Sequence, residues 1–144
     1  TVELVRRAVQ VKVDVVEKDP FEQGIRAYLN LGHTFAHAIE RVTNYAVPHG
    51  EAVGVGLLAA GKLSHRLGLC DSALVEQIDA VLSRIGLPRT TQGLEPEAIY
   101  AAMSTDKKWK NGKTYFILLR GIGQPLIMEN VPKDDVIRVL DEMR

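Results

Sequence analysis

Between residues 50 and 61 the chain places Gly50, Ala52, Gly54, Gly56, Ala59, Ala60 and Gly61 among Val53, Val55, Leu57 and Leu58. Each glycine costs a helix about 1 kcal/mol relative to alanine. A helix that accumulates them in an apolar setting gains something else, namely close approach of a neighbouring backbone. The segment from Gly50 to Leu67 therefore reads as a buried central helix on which other elements pack without room for side chains.

The remaining elements follow from periodicity. Val2, Val5, Val9, Val13 and Val16 recur at steps of three and four, an apolar stripe on a helix over Thr1–Lys18. Asp19-Pro20 ends it, because a residue before proline is pushed out of the helical region. Helical pattern resumes near Ile25 and runs to about Val42, followed by a connection over 43–48. Leu74, Ile78, Val81, Leu82 and Ile85 mark a helix over Ser72–Ile85, with Gly86 at its C-terminal cap and Pro88 beyond. Pro96 suits the first turn of a short helix reaching Met103. Between Lys113 and Val131, two apolar runs flank Gly121-Ile122-Gly123, as in a β-hairpin. A last helix covers about Lys133–Met143 and buries Val136, Val139, Leu140 and Met143. The expectation is a mainly α, multi-helix single domain over 1–144 with one small hairpin.

Composition excludes several classes. Lys plus Arg and Asp plus Glu are both 18, so no bulk basic field exists to hold nucleic acid. No apolar run approaches the roughly 20 residues of a membrane span. The single cysteine, Cys70, precludes an intrachain disulfide and fits a cytoplasmic protein. The glycines at 50, 54 and 56 do not follow a strand, so no dinucleotide-binding fingerprint is encoded. A start at Thr1, directly on a helical pattern, is expected of a piece of a longer protein.

Chemistry concentrates in the second quarter of the chain. His33 and His37 stand one helical turn apart, and His49 opens the next helix in Pro48-His49-Gly50-Glu51. Neutral imidazole is a good zinc ligand, and a catalytic zinc takes three protein ligands and keeps one position open. Spacing alone leaves a metal site and ordinary surface or core histidines both open. His65, beside Ser64 and Arg66, reads as surface. Glu22, Arg26, Asn30 and His33 run at steps of four, four and three, one helical face if the helix extends back that far. Either a lined pocket or an Arg–Glu surface pair would produce that pattern. Asp106-Lys107-Lys108-Trp109-Lys110 is a cationic run in a loop, and most such runs are solvated.

Taken together, Gly24-Ile25-Arg26-Ala27-Tyr28-Leu29-Asn30-Leu31-Gly32-His33-Thr34-Phe35-Ala36-His37-Ala38-Ile39-Glu40, then His49-Gly50-Glu51-Ala52-Val53, then Asp106-Lys107-Lys108, resemble the C-terminal half of 3-dehydroquinate synthases. The resemblance spans essentially the whole chain in order. One departure is Ala36, where the family usually has glycine. The resemblance implies the C-terminal domain of the dehydroquinate synthase-like fold. It implies that His33 and His49 are metal ligands, to zinc or alternatively cobalt, with a third ligand, a glutamate, lying upstream of residue 1. It implies that Arg26 grips a substrate carboxylate, a task suited to a bidentate guanidinium. Asn30, His37 and Lys107 would surround a substrate phosphate, while Lys12 and Glu22 would lie near ring hydroxyls and the metal.

The reaction so implied converts 3-deoxy-D-arabino-heptulosonate 7-phosphate to 3-dehydroquinate and phosphate, in the shikimate route to aromatic amino acids. NAD would be held mainly by an N-terminal nucleotide-binding domain absent from this sequence, and the full enzyme would be a homodimer. The 144 residues alone are then expected to be inactive. Three rivals remain. A related sugar-phosphate cyclase would keep the phosphate contacts and change the site around Arg26. A metal-dependent polyol or alcohol dehydrogenase of the same architecture would need neither anion grip. A helical interaction module would leave the histidine placement to chance.

Overall fold

The structure is a computed structural model that describes all residues, Thr1–Arg144. The chain divides into two compact units, Thr1–Asn30 and Leu31–Arg144.

In the first unit, helix α1 runs Val2–Lys18 and none of its residues is buried. The valine stripe predicted from periodicity is present but uncovered, with Val2, Val5, Val9 and Val13 all exposed. The chain turns back after α1 because the Asp19 carboxylate accepts the backbone N–H groups of Gln23 (2.8 Å), Gly24 (2.7 Å) and Arg26 (3.0 Å). That loop leads into a short 3₁₀ helix, Ile25–Asn30.

Here the structure corrects the sequence. The expected continuous helix from Ile25 to Val42 is broken: the 3₁₀ segment stops at Asn30, and the α-helix α2 spans His33–Val42. Gly32 separates them with φ +80°, a left-handed conformation that a β-carbon disfavours. A 3₁₀ helix has three residues per turn, so Arg26 and Asn30, four apart, do not share its face. Glu22, Arg26, Asn30 and His33 are therefore not one helical stripe.

The second unit is built around α3, His49–Arg66. Helix α2, helix α4 (Ser72–Arg84), a hairpin of β1 (Tyr115–Gly121) and β2 (Gln124–Glu129), and helix α6 (Lys133–Glu142) all pack against it. Helix α5, Pro96–Met103, bridges α2 and α6. The small residues of α3 are buried as expected, among them Ala52, Gly54, Val55, Gly56, Ala59, Ala60 and Gly61.

The closest approach is at Gly56, where a β-carbon would stand 2.1 Å from the Gly32 carbonyl oxygen. The reciprocal β-carbon on Gly32 would meet the Leu57 amide nitrogen at 2.7 Å. These two glycines fix the start of α2 on α3. Phe35 and Phe116, 5.4 Å apart, join α2 to the hairpin, whose antiparallel register pairs Phe116 with Met128 and Leu118 with Leu126. Ser64 is fully buried; its hydroxyl donates to the Ala60 carbonyl and accepts the Leu119 N–H at 2.9 Å. This bond ties α3 to β1.

Candidate active site

The Gly32 break sets where the imidazoles lie. Helix α2 begins at His33, which places His37 one turn on, and His49 is the first residue of α3. The three rings gather, with centroids 5.5 Å apart for His33–His49, 5.6 Å for His33–His37 and 6.0 Å for His37–His49.

Beneath them is a residue to which the sequence reading gave no role. Glu40 of α2 accepts from His49 Nδ1 at 2.8 Å through one carboxylate oxygen and from His37 Nδ1 at 3.0 Å through the other. Its side chain is 12% exposed, against 52% and 55% for the two rings. Burial disfavours its charged form, but the hydrogen bonds from His49 and His37 prevail and hold its pKa below the ordinary 4.5. An ionised carboxylate only accepts, so both Nδ1 atoms carry hydrogen; a neutral ring then keeps its lone pair on Nε2, and a protonated one can donate from Nε2. His33 has the same arrangement by another route, its Nδ1 lying 3.3 Å from the Leu31 carbonyl oxygen. Burial lowers the His33 pKa below 6.5 and so favours a neutral ring; repulsion from His37 and His49 adds to this, while the Leu31 bond and the Glu40 charge oppose it.

The donor set suits a transition metal: neutral imidazoles, each oriented through its second nitrogen by a carbonyl or carboxylate, are the usual ligand form. Two sets can be drawn from these residues. One is His33 with His49, the pair expected from the sequence. The other is His37, Glu40 and His49, whose ligand atoms lie within 4.8 Å of one another. Placing an ion in the second set would take Glu40 away from the two N–H groups it now satisfies. The first set leaves that carboxylate in place.

His37 also faces a cavity of about 340 Å³, lined in addition by Thr34, Arg41, Asp106, Lys107 and Lys108. The cationic run is thus folded toward α2. Trp109 anchors it, donating Nε1–H to the Tyr115 carbonyl at 3.1 Å and packing edge-on against Tyr100 and Phe116. Asp106 tightens the turn by accepting the Lys108 N–H at 3.0 Å. Arg41 reaches across to Thr105 Oγ1 and the Ala102 carbonyl. A larger hollow of about 690 Å³ contains His65, and there Arg66 is paired with Asp135 at 2.8 Å.

The other predicted residues belong to the first unit. Arg26 is held at both ends, by Asp19 at its backbone N–H and by the Pro20 carbonyl, 2.9 Å from a guanidinium nitrogen. Asn30 donates to the Glu22 carboxylate at 3.4 Å. Lys12 is exposed on α1. The structure therefore brings together His33, His37 and His49, joins His37 to Lys107 at one cavity, and pairs Glu22 with Asn30. Asp19 and Glu40 were missed as supports. Glu40 was within reach of periodicity, since 33, 37 and 40 share a helical face.

A family model described as the 3-dehydroquinate synthase C-terminal domain matches residues 1–109. The chain belongs to the 3-dehydroquinate synthase C-terminal family. A family relative from Dehalococcoides mccartyi (strain ATCC BAA-2266 / KCTC 15142 / 195), named 3-dehydroquinate synthase, is 39% identical over 142 residues. That match covers 99% of this chain and 40% of the relative, so the chain spans about two fifths of its length. The fold is also that of ValA, a 2-epi-5-epi-valiolone synthase from Streptomyces hygroscopicus subsp. jinggangensis 5008 solved with NAD+ and Zn2+. The TM-score is 0.85 at 25% identity, covering 99% of this chain and 39% of that one. A 2-deoxy-scyllo-inosose synthase complexed with carbaglucose-6-phosphate, NAD+ and Co2+ superposes with a TM-score of 0.86 at 26% identity, covering 97% and 40%. The mainly helical fold with one small hairpin expected for the dehydroquinate synthase family is the fold observed.

Proposed function

We propose that this chain is the metal- and substrate-binding part of a 3-dehydroquinate synthase, a phosphate-eliminating lyase acting on 3-deoxy-D-arabino-heptulosonate 7-phosphate. The observation that carries the proposal is the adjacency of two sites at helix α2. Oriented imidazoles with free Nε2 atoms stand beside a cation-lined cavity, and His37 belongs to both. Such a pairing suits a substrate that carries a hydroxyl to be activated and a phosphate to be held.

In this account His33 and His49 hold zinc or cobalt, with a further ligand supplied from outside these 144 residues. A metal ion bound there would act as a Lewis acid, making a substrate hydroxyl easier to deprotonate. Lys107 and a protonated His37, donating from Nε2 with Glu40 facing its Nδ1, bind the phosphate, and by the family pattern Asn30 is a further phosphate contact. Arg26 takes the carboxylate; the Asp19 hydrogen bond to its backbone limits the freedom it must lose on binding. Lys12 and Glu22 serve the polar ring positions. Fixing both anionic ends of a flexible substrate is an entropic contribution to rate, and it is made by positioning alone. A nucleotide-binding domain elsewhere in a longer, cytoplasmic and homodimeric enzyme would provide NAD. The two solved structures, whose names specify cofactors of that kind, support this.

The same neighbours favour a second reading, a cyclase that forms a different ring from a sugar phosphate without a carboxylate. The deciding experiment supplies the full-length protein with NAD+ and zinc and measures phosphate release. Release from 3-deoxy-D-arabino-heptulosonate 7-phosphate, lost in Arg26→Ala, is expected. Faster release from a sugar phosphate lacking the carboxylate, unaffected by Arg26→Ala, would replace the first reading by the second.

A further inference from the structure

Resting on the proposed metal and phosphate roles, we propose that Glu40 is the positioning residue of the site, a single carboxylate that sets the tautomer of both His37 and His49. A proposed metal ligand and a proposed phosphate contact thereby share one orienting group.

The geometry carries this. Each Glu40 oxygen has its own imidazole, at 2.8 and 3.0 Å, and the two rings come from different helices. The carboxylate is largely buried while the rings above it are half-exposed. Glu40 thus lies on the protein side of the imidazoles, and the Nε2 atoms are left for whatever binds from outside. A buried carboxylate with no partner would be costly, so ionised Glu40 and the two Nδ1–H groups stabilise one another. Replacing either ring or the carboxylate disturbs the other two. A metal ligand (His49) and a phosphate contact (His37) therefore share one orienting group. Glu40 touches neither metal nor substrate in this account.

Glu40→Gln tests it with almost no change of shape. The amide has one acceptor and one donor end. It can satisfy the Nδ1–H of only one imidazole; toward the other it must donate, which forces that ring to carry its proton on Nε2 and blocks it as an Nε2 ligand. The measurement is ¹⁵N NMR of the histidine rings in metal-free full-length protein, with zinc affinity by chelator competition. Wild type is expected to show Nδ1–H at both His37 and His49. Glu40→Gln is expected to convert one ring to Nε2–H and, when that ring is His49, to weaken zinc binding about 10–100-fold, the usual cost of losing a group that orients a ligand. An Nε2–H tautomer at either ring in metal-free wild type overturns the proposal, whether or not the variant folds. So does a Glu40→Gln protein with both tautomers unchanged and wild-type zinc affinity. His49→Ala separates this from the reading beneath it. If His49→Ala keeps wild-type zinc affinity, the metal assignment itself fails; if it loses zinc while Glu40→Gln keeps both its zinc affinity and both tautomers, Glu40 alone is misassigned.

Discussion

Replacing Gly56 by alanine probes the contact that positions the whole site. The new β-carbon would stand 2.1 Å from the Gly32 carbonyl oxygen and 3.3 Å from the Ala36 amide nitrogen, both backbone atoms that no rotamer change can clear. Reaching even 3.0 Å requires α2 and α3 to separate locally by about 0.9 Å, since β-carbon contacts below that distance are essentially never found. Overpacking of this kind costs about 1–3 kcal/mol, against which alanine recovers up to about 1 kcal/mol of helix propensity. The net loss lowers the melting temperature by several degrees, roughly 3–4 °C per kcal/mol at this chain length. Displacement also reaches His33, one residue after Gly32, so zinc binding weakens more than stability requires. Gly50→Ala is the control: it lies on the same helix, and nothing stands within 4 Å of its added methyl. Differential scanning calorimetry and chelator competition on both variants measure this. A Gly56→Ala protein that melts with Gly50→Ala and binds zinc like wild type would refute the close-packing account.

Other outcomes follow from single contacts. Ser64→Ala removes the buried acceptor of the Leu119 N–H; chemical denaturation should register a loss of about 1–3 kcal/mol, the cost of an unsatisfied buried donor. Lys107→Ala should raise KM for a phosphorylated substrate about 10-fold or more, as for a lost charge-assisted hydrogen bond, and leave zinc content unchanged. Asp19 has its pKa held below the ordinary 3.8 mainly by the hydrogen bonds from Gln23 and Arg26. A depressed carboxylate pKa stabilises the fold above its unfolded value, and that contribution disappears as pH falls through the folded one. Amide shifts of Gln23, Gly24 and Arg26 in wild type should therefore move toward those of Asp19→Asn only below the ordinary carboxylate range. Movement near pH 6 would disprove the assignment.

The fold was legible where periodicity and punctuation agree. The stripe Leu74-Ile78-Val81-Leu82 closed by Gly86, Pro96 at a first turn, and Gly121-Ile122-Gly123 between apolar runs each became the element expected. The glycines of α3 announced close packing, and Gly56 delivers it. What could not be read was anything decided at long range. The break at Gly32 depends on a helix 24 residues further on, so the spacing of Arg26, Asn30 and His33 imitated a continuous stripe. Glu40, followed by Arg41, resembles a solvated helix position until His49 folds over it. Lys107 lies in a charge run, and only the Trp109 anchor turns that run toward His37. Asp19 served as a helix stop, while its carboxylate acts on a loop that has yet to return.

The central claim is that His33 and His49 hold the metal while His37, seated on the same carboxylate as His49, serves the phosphate. Zinc affinity of the full-length protein carrying His33→Ala, His37→Ala or His49→Ala, by competition with a chelator, tests it most directly. The account predicts losses of at least about 100-fold for His33→Ala and His49→Ala, and a smaller change, up to about 10-fold, for His37→Ala. Zinc lost with His37 and His49 but retained without His33 would place the ion in the His37, Glu40 and His49 set, and would contradict it.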